Sequence, residues 1–335
     1  MINATIDFEV EGIQHGVLRV PHSVNRSAYG AIHIPIACFK NGEGPTVLLT
    51  GGIHGDEYEG PIALAKLARK LRLEDITGRI LIVPSLNHPA YLAGTRVSPI
   101  DGVNLNRTFP GKRNGTITEM IAHYVTTVLL AKADFLFDFH AGGSSLNYLP
   151  SVLAPMPGQG TRPELANRLL AAFAPERVVR YDIEKAISGE DRVIANYAQK
   201  QGVLVLLGEF GGASTVNRAG LRTVEDGLLP YLAACGVWAG QADKESTSRR
   251  HETAFFTTDD AGLYAFADRP GIFEPAFSLG DYVEAGAPAG HIYDPHNPWQ
   301  PPARIDFAAG GLAVCIRTYA QVEPGDCLGH LARAL

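Results

Sequence analysis

Cysteine is scarce in this chain and never paired: Cys38, Cys235, Cys315 and Cys327 lie far apart, with no C-x-x-C among them. That spacing argues against a cysteine zinc site and against a disulfide framework, so the four read as buried thiols in a reducing compartment. No uninterrupted apolar run is long enough to span a bilayer, and the opening "MINATIDFEVEGIQHG" has neither a basic start nor an apolar stretch of leader length. A cytoplasmic protein without a membrane partner is expected. Lys and Arg form no dense cluster and the formal net charge is −6, so the basic footprint that a phosphate backbone demands is missing. Nucleic acid is therefore not expected as a partner, and a small molecule is. Association with further copies of the same chain is left open.

What the sequence does have is a globular balance: 46% hydrophobic and 19% charged residues, with 36 Gly and 22 Pro for tight turns and short connections. Its 335 residues, against a prior of roughly 150 per domain, suggest two domains with a sizeable core. From about Ala31 to Ala234, short apolar runs alternate with stretches of helical period, the signature of an α/β domain with a mixed, mainly parallel sheet flanked by helices. "TVLLTGG", "RILIVPSLN", "FLFDFHAGG" and "VLVLLGEFGG" read as strands covered on both faces. "GPIALAKLARKL", "TITEMIAHYVTTVLL", "PELANRLLAAF" and "EDRVIANYAQK" read as the helices that cover them. The polar stretch "GQADKESTSRRHET", from Gly240, reads as a joint between residues 1–240 and a small all-β unit over residues 250–335.

In an open α/β sheet a ligand sits outside the carboxyl ends of the strands. Here those ends carry His54 and Glu57, then Asp138 and His140, then Glu209, while the region after "ILIVPSLN" adds Arg96, Asn106 and Arg107. Two His and one Glu suit an open zinc site with one coordination place left for water or substrate. His54 and Glu57, spaced i, i+3, fall on one side of a turn entering a helix, which leaves Asp56 and Glu59 pointing elsewhere. Gly51, Gly52 and Gly55 are expected to let the backbone make that turn and come close to the metal, since glycine tolerates positive φ. Taken alone, His54 and Glu57 suit a solvated helix N-terminus equally well, and a lone His140 would suit the core. Asp138 and His140, at i, i+2 on a strand, share a face, so Asp138 suits either support of a metal-bound imidazole or the cap of a nearby N–H. Glu209 interrupts an apolar strand, which is costly unless the carboxylate is paired or functional; general base is the proposed task and a salt bridge the alternative. Arg107 with Asn106 suits a planar carboxylate, and Arg96 an oxyanion, although an Arg on a loop is often merely solvated.

As a set and in this order, "GGIHGDEYEG", "NLNRTFPG", "DFHAGG" and "GEFGG" resemble the succinylglutamate desuccinylase/aspartoacylase family of zinc-carboxypeptidase-like amidohydrolases, over roughly residues 45–235. The resemblance implies that His54, Glu57 and His140 bind one zinc ion per chain and that Glu209 is the catalytic carboxylate. It also implies that Arg96 assists the carbonyl and that Asn106 with Arg107 grips a substrate carboxylate. Within the family, "LLTGGIHGDEYEGPIAL" and "SPIDGVNLNRTFPG" look most like the bacterial deacetylases of ectoine breakdown, which implies N-alpha-acetyl-L-2,4-diaminobutyrate as substrate. Two departures weaken any transfer of aspartoacylase specificity: Asp56 stands where aspartoacylases commonly carry Asn, and Asn104 where they carry Asp. "SLGDYVEAGAPAGHIYD" resembles biotinyl/lipoyl-type β modules, but no Met-Lys attachment site follows, so a structural or pocket-shaping role is expected of it.

The function expected is metal-assisted hydrolysis of the amide of a small N-acyl amino acid. Desuccinylase, aspartoacylase-type or carboxypeptidase action on another substrate is the neighbouring alternative. A non-catalytic protein that binds an amino-acid derivative is the alternative from another class; retention of Glu209 argues against it.

Overall fold

The computed structural model describes residues 1–160, 162–182, 192–240 and 252–335. Four parallel strands form its centre, in the order Gly78–Val83, Thr46–Gly51, Phe135–His140 and Leu204–Glu209. Each is a near-continuous apolar run because both faces are covered, and every residue of Thr46–Gly51 and of Phe135–His140 is buried. Side chains alternate between the faces, so one strand feeds two cores. Val47, Leu49, Phe135, Phe137 and Phe139 join the core under the helices Glu59–Lys70, Pro163–Phe173 and Arg218–Ala234. Leu48 and Leu136 join the opposite core, under the helices Ile117–Tyr124 and Ile194–Lys200 and the N-terminal strands.

Around this centre the sheet is less parallel than the alternation of runs implies. On one side Gly78–Val83 pairs antiparallel with Ala31–Asn41, which pairs antiparallel with Gly12–Pro21. The link over residues 22–30 is too short for a crossover, which takes a dozen or more residues, so those two strands must run antiparallel. On the other side Leu204–Glu209 pairs antiparallel with Ser151–Pro155, and Arg177–Tyr181 follows in parallel. The result is a large mixed sheet.

The C-terminal residues form antiparallel strands with their own cluster of Leu263, Phe273, Phe277, Phe307, Leu328 and Leu331. They also extend the main sheet. Ala254–Thr257 pairs in parallel with Arg177–Tyr181 and antiparallel with Cys327–Ala334, and Val179, Phe256, Leu312, Val314 and Ala332 pack together at this seam. Of the polar joint read from the sequence, residues 241–251 lie outside the described residues, as does the first part of "EDRVIANYAQK".

Because the central strands are parallel, their carboxyl ends share one edge, and register sets what meets there. Thr50 is level with Asp138, and His140 with Glu209. Of the three glycines after Thr50 only Gly52 has a positive φ, +61°. Gly55 is demanded instead by contact: a Cβ there would lie 1.9 Å from the Ala90 carbonyl carbon, in the helix His88–Ala93. Gly55→Ala must push that helix away. The expected result is a destabilisation of about 1–3 kcal/mol or more in urea unfolding; unchanged stability would show that the turn does not rest on Ala90.

Candidate metal centre

The helix after the first central strand begins at Glu59, so His54 and Glu57 lie in the turn that precedes it. There the Glu57 carboxylate is clasped by two imidazoles: Oε1 lies 2.7 Å from His54 Nδ1, and Oε2 3.0 Å from His140 Nδ1. All three side chains are buried, and the two rings sit 5.3 Å apart between centroids. One ligand atom from each lies within 4.8 Å of the others, which makes this a group of side chains that could hold a metal ion. Two imidazole nitrogens and a carboxylate oxygen are the donor set of an open zinc site, and the spacing fits ligands about 2 Å from a common ion.

Behind the ring of His140 stands Asp138, whose Oδ2 lies 2.7 Å from Nε2. Its other oxygen accepts from Thr50 Oγ1 at 2.6 Å. This pairing fixes which ring nitrogen of His140 faces Glu57, since the far nitrogen must carry the proton given to Asp138. His54 is held at its far nitrogen as well: Nε2 lies 3.2 Å from Asn104 Oδ1.

Charges here depend on one another. Burial pushes the Glu57 carboxyl up, but His54 and His140 more than offset this and hold it well below the ordinary carboxylate range. Burial also pushes His140 down, yet Asp138 and Glu57 together raise it well above the usual imidazole value. At His54 burial prevails over Glu57 and the shift is downward.

Glu209 ends the neighbouring strand, level with His140. The residue as a whole is half-buried, but Oε2 is sealed from solvent and has no hydrogen-bond partner among the described residues. Burial pushes its carboxyl up to about 8; Glu57 and Asp138 add to the rise, and His140 and Arg96 oppose it. Arg96 lies across the site and stays solvent-accessible, with Nη1 3.7 Å from Glu57 Oε1 and 3.5 Å from His54 Nδ1. Asn106 and Arg107 lie on a short helical turn, Leu105–Arg107. Asn106 is buried with Oδ1 accepting the Ile194 amide at 3.0 Å. Arg107 is exposed, with Nη1 donating to the Asn106 carbonyl at 2.7 Å.

The structure adds residues that the sequence reading passed over. Thr50 sits inside an apolar run, and only strand register reveals what it touches. Asn104 had a signal, the departure from Asp noted above. Asp56 and Glu59 are buried and bonded to other segments: Asp56 Oδ2 accepts the Ser144 amide at 2.6 Å, and Glu59 Oε1 the Asn217 amide at 2.7 Å.

Residues 43–235 match the succinylglutamate desuccinylase/aspartoacylase catalytic domain. Over 335 residues, all of this chain and 95% of the relative, the sequence is 36% identical to an N-alpha-acetyl-L-2,4-diaminobutyric acid deacetylase from Halomonas elongata. The product-bound structure of the ectoine utilization protein EutE (DoeB) from Ruegeria pomeroyi superposes with a TM-score of 0.91 at 34% identity, covering 99% of this chain and 98% of that one. A succinylglutamate desuccinylase/aspartoacylase from Rhodobacter sphaeroides does so at 0.90 and 35%, covering 100% and 99%. The catalytic-domain match takes in the strand ends that carry His54, Glu57, His140 and Glu209, and the chain belongs to the succinylglutamate desuccinylase/aspartoacylase family.

Proposed function

We propose that this chain is a zinc-dependent amidohydrolase that removes the acetyl group from N-alpha-acetyl-L-2,4-diaminobutyrate. The observation that carries the reading is the clasp of Glu57 between His54 and His140, with a carboxylate oxygen of Glu209 that has no partner among the described residues on the adjoining strand end. Full-length similarity to a deacetylase of that substrate supports the choice of acyl amino acid. Residues 1–240 form the hydrolase unit in this reading, with a zinc-carboxypeptidase-like fold. Residues 250–335 form a biotinyl/lipoyl-like β unit that braces it. The proposed compartment is the cytoplasm, where four free thiols stay reduced.

His54, Glu57 and His140 hold the ion, one per chain, and Asp138 with Thr50 orients the ring of His140. Zinc, when bound, polarises a carbonyl and lowers the pKa of nearby water and of Glu209 alike. Glu209 takes a proton from the attacking water and returns it to the leaving amine, a task open to it once a cation beside it holds the carboxyl ionised. The Arg96 guanidinium, within 4 Å of the ligand set, offers N–H groups to the oxyanion as it develops. Asn106 Nδ2 and Arg107 orient the substrate by its carboxylate, a planar acceptor that a guanidinium matches in two places.

Glu209→Gln keeps the shape of the side chain but cannot accept the proton. It should lower kcat by about 10²–10⁴-fold while the metal content stays at that of the parent; an unchanged rate would remove Glu209 from the reaction. Dialysis against a strong chelator should abolish turnover, and zinc should restore it. Activity that survives removal of all divalent ions would overturn the metal role. Across N-acetyl-diaminobutyrate, N-acetylaspartate and N-succinylglutamate, kcat/KM should be highest for the first, and a preference for either of the others would reassign the substrate.

A further inference from the structure

Asp56 stands between two proposed metal ligands in the sequence, is buried, and has no part in the chemistry described above. An apolar side chain would bury more cheaply, since Oδ1 of Asp56 has no hydrogen-bond partner among the described residues. Its other oxygen reaches across the sheet edge to accept the Ser144 amide at 2.6 Å, in the loop that follows His140. The loop is shaped for this contact. Gly143 has a φ of +59°, and a Cβ there would lie 2.6 Å from Asp56 Oδ2.

The same loop is tied to the end of the Glu209 strand. Phe210 N donates to the His140 carbonyl at 2.9 Å, Gly142 N to the Gly211 carbonyl at 3.0 Å, and Ser214 N to the Gly143 carbonyl at 2.9 Å. The C-terminal strands hold its outer side: Thr318 donates through Oγ1 to the Ser144 carbonyl and through N to the Ser145 carbonyl, the latter at 3.0 Å. Asp56 is thus the side chain by which the His54–Glu57 turn grips a junction shared by His140, Glu209 and the C-terminal strands.

We infer that Asp56 is a positioning residue: by accepting the Ser144 amide it sets the distance between the His54–Glu57 turn and the strand ends that carry His140 and Glu209. The inference rests on the metal-centre reading given above. In its terms, losing the contact lets one pair of ligating groups drift from the third, so metal affinity falls before the fold does. It also loosens Glu209, so kcat falls more than KM rises.

The test compares zinc affinity, by competition with a chromophoric chelator, in the parent chain, Asp56→Ala and Asp56→Asn, with kcat and KM measured beside it. The alanine chain should bind zinc about 10–100-fold more weakly, the usual range for losing a residue that supports a ligand. The asparagine chain, whose Oδ1 can accept the same N–H, should stay within a few-fold of the parent. Should the alanine chain not fold, Asp56→Ser, whose hydroxyl is too short to reach Ser144, takes its place with the same expected loss. Parent-like affinity in the alanine or serine chain overturns the inference, as does an asparagine chain as weak as alanine. A parent chain that binds no divalent ion overturns the metal-centre reading itself, and this inference with it.

Discussion

A carboxylate buried between two imidazoles organises this molecule. A buried charge is tolerated only with close opposite charge or a metal, and Glu57 is met on both oxygens by ring nitrogens. Those nitrogens come from one turn and one strand end, 83 residues apart between Glu57 and His140. The contact can form only if two neighbouring parallel strands stop at the same level. Thr50 level with Asp138 achieves that, and their side chains share a 2.6 Å hydrogen bond inside the sheet. The site is therefore a consequence of strand register, with the apolar cores on both faces keeping the register from slipping.

The second constraint is what surrounds the strand ends. Loops at strand ends are as a rule the more mobile parts of a fold. Here they are fastened by backbone and carboxylate hydrogen bonds: Asp56 to the loop after His140, Glu59 to the helix start at Asn217, and Thr318 to the outer side. The strand Leu146–Tyr148 continues this frame, since it pairs with Gly311–Arg317 of the C-terminal part while Tyr148 N donates to the Gly211 carbonyl at 3.0 Å. The C-terminal strands thus meet the loop after His140 directly, and the loop after Glu209 through Leu146–Tyr148.

Much of the centre is legible in the sequence, because its logic is local. Continuous apolar runs announce strands covered on both faces, and a polar side chain closing such a run is conspicuous. His54, His140 and Glu209 each stand out for that reason. What lies across strands is not legible in the same way. Nothing near Thr50 in the sequence points to Asp138, and Asp56 looks like one more acidic residue in a turn until Ser144 is brought beside it. Positive φ was a poor guide to Gly55, whose need is the room taken by Ala90. The antiparallel flanks and the C-terminal strands that extend the sheet also escape a reading by periodicity, because pairing partners far apart leave no local pattern.

The central claim is that His54, Glu57 and His140 share a single ion. Crystals of the zinc-loaded chain, measured at the zinc absorption edge, test it most directly. The account predicts one anomalous peak per chain, about 2 Å from a nitrogen of each imidazole and an oxygen of Glu57. A peak held by other residues, or none at this site in protein that is fully active, would contradict it.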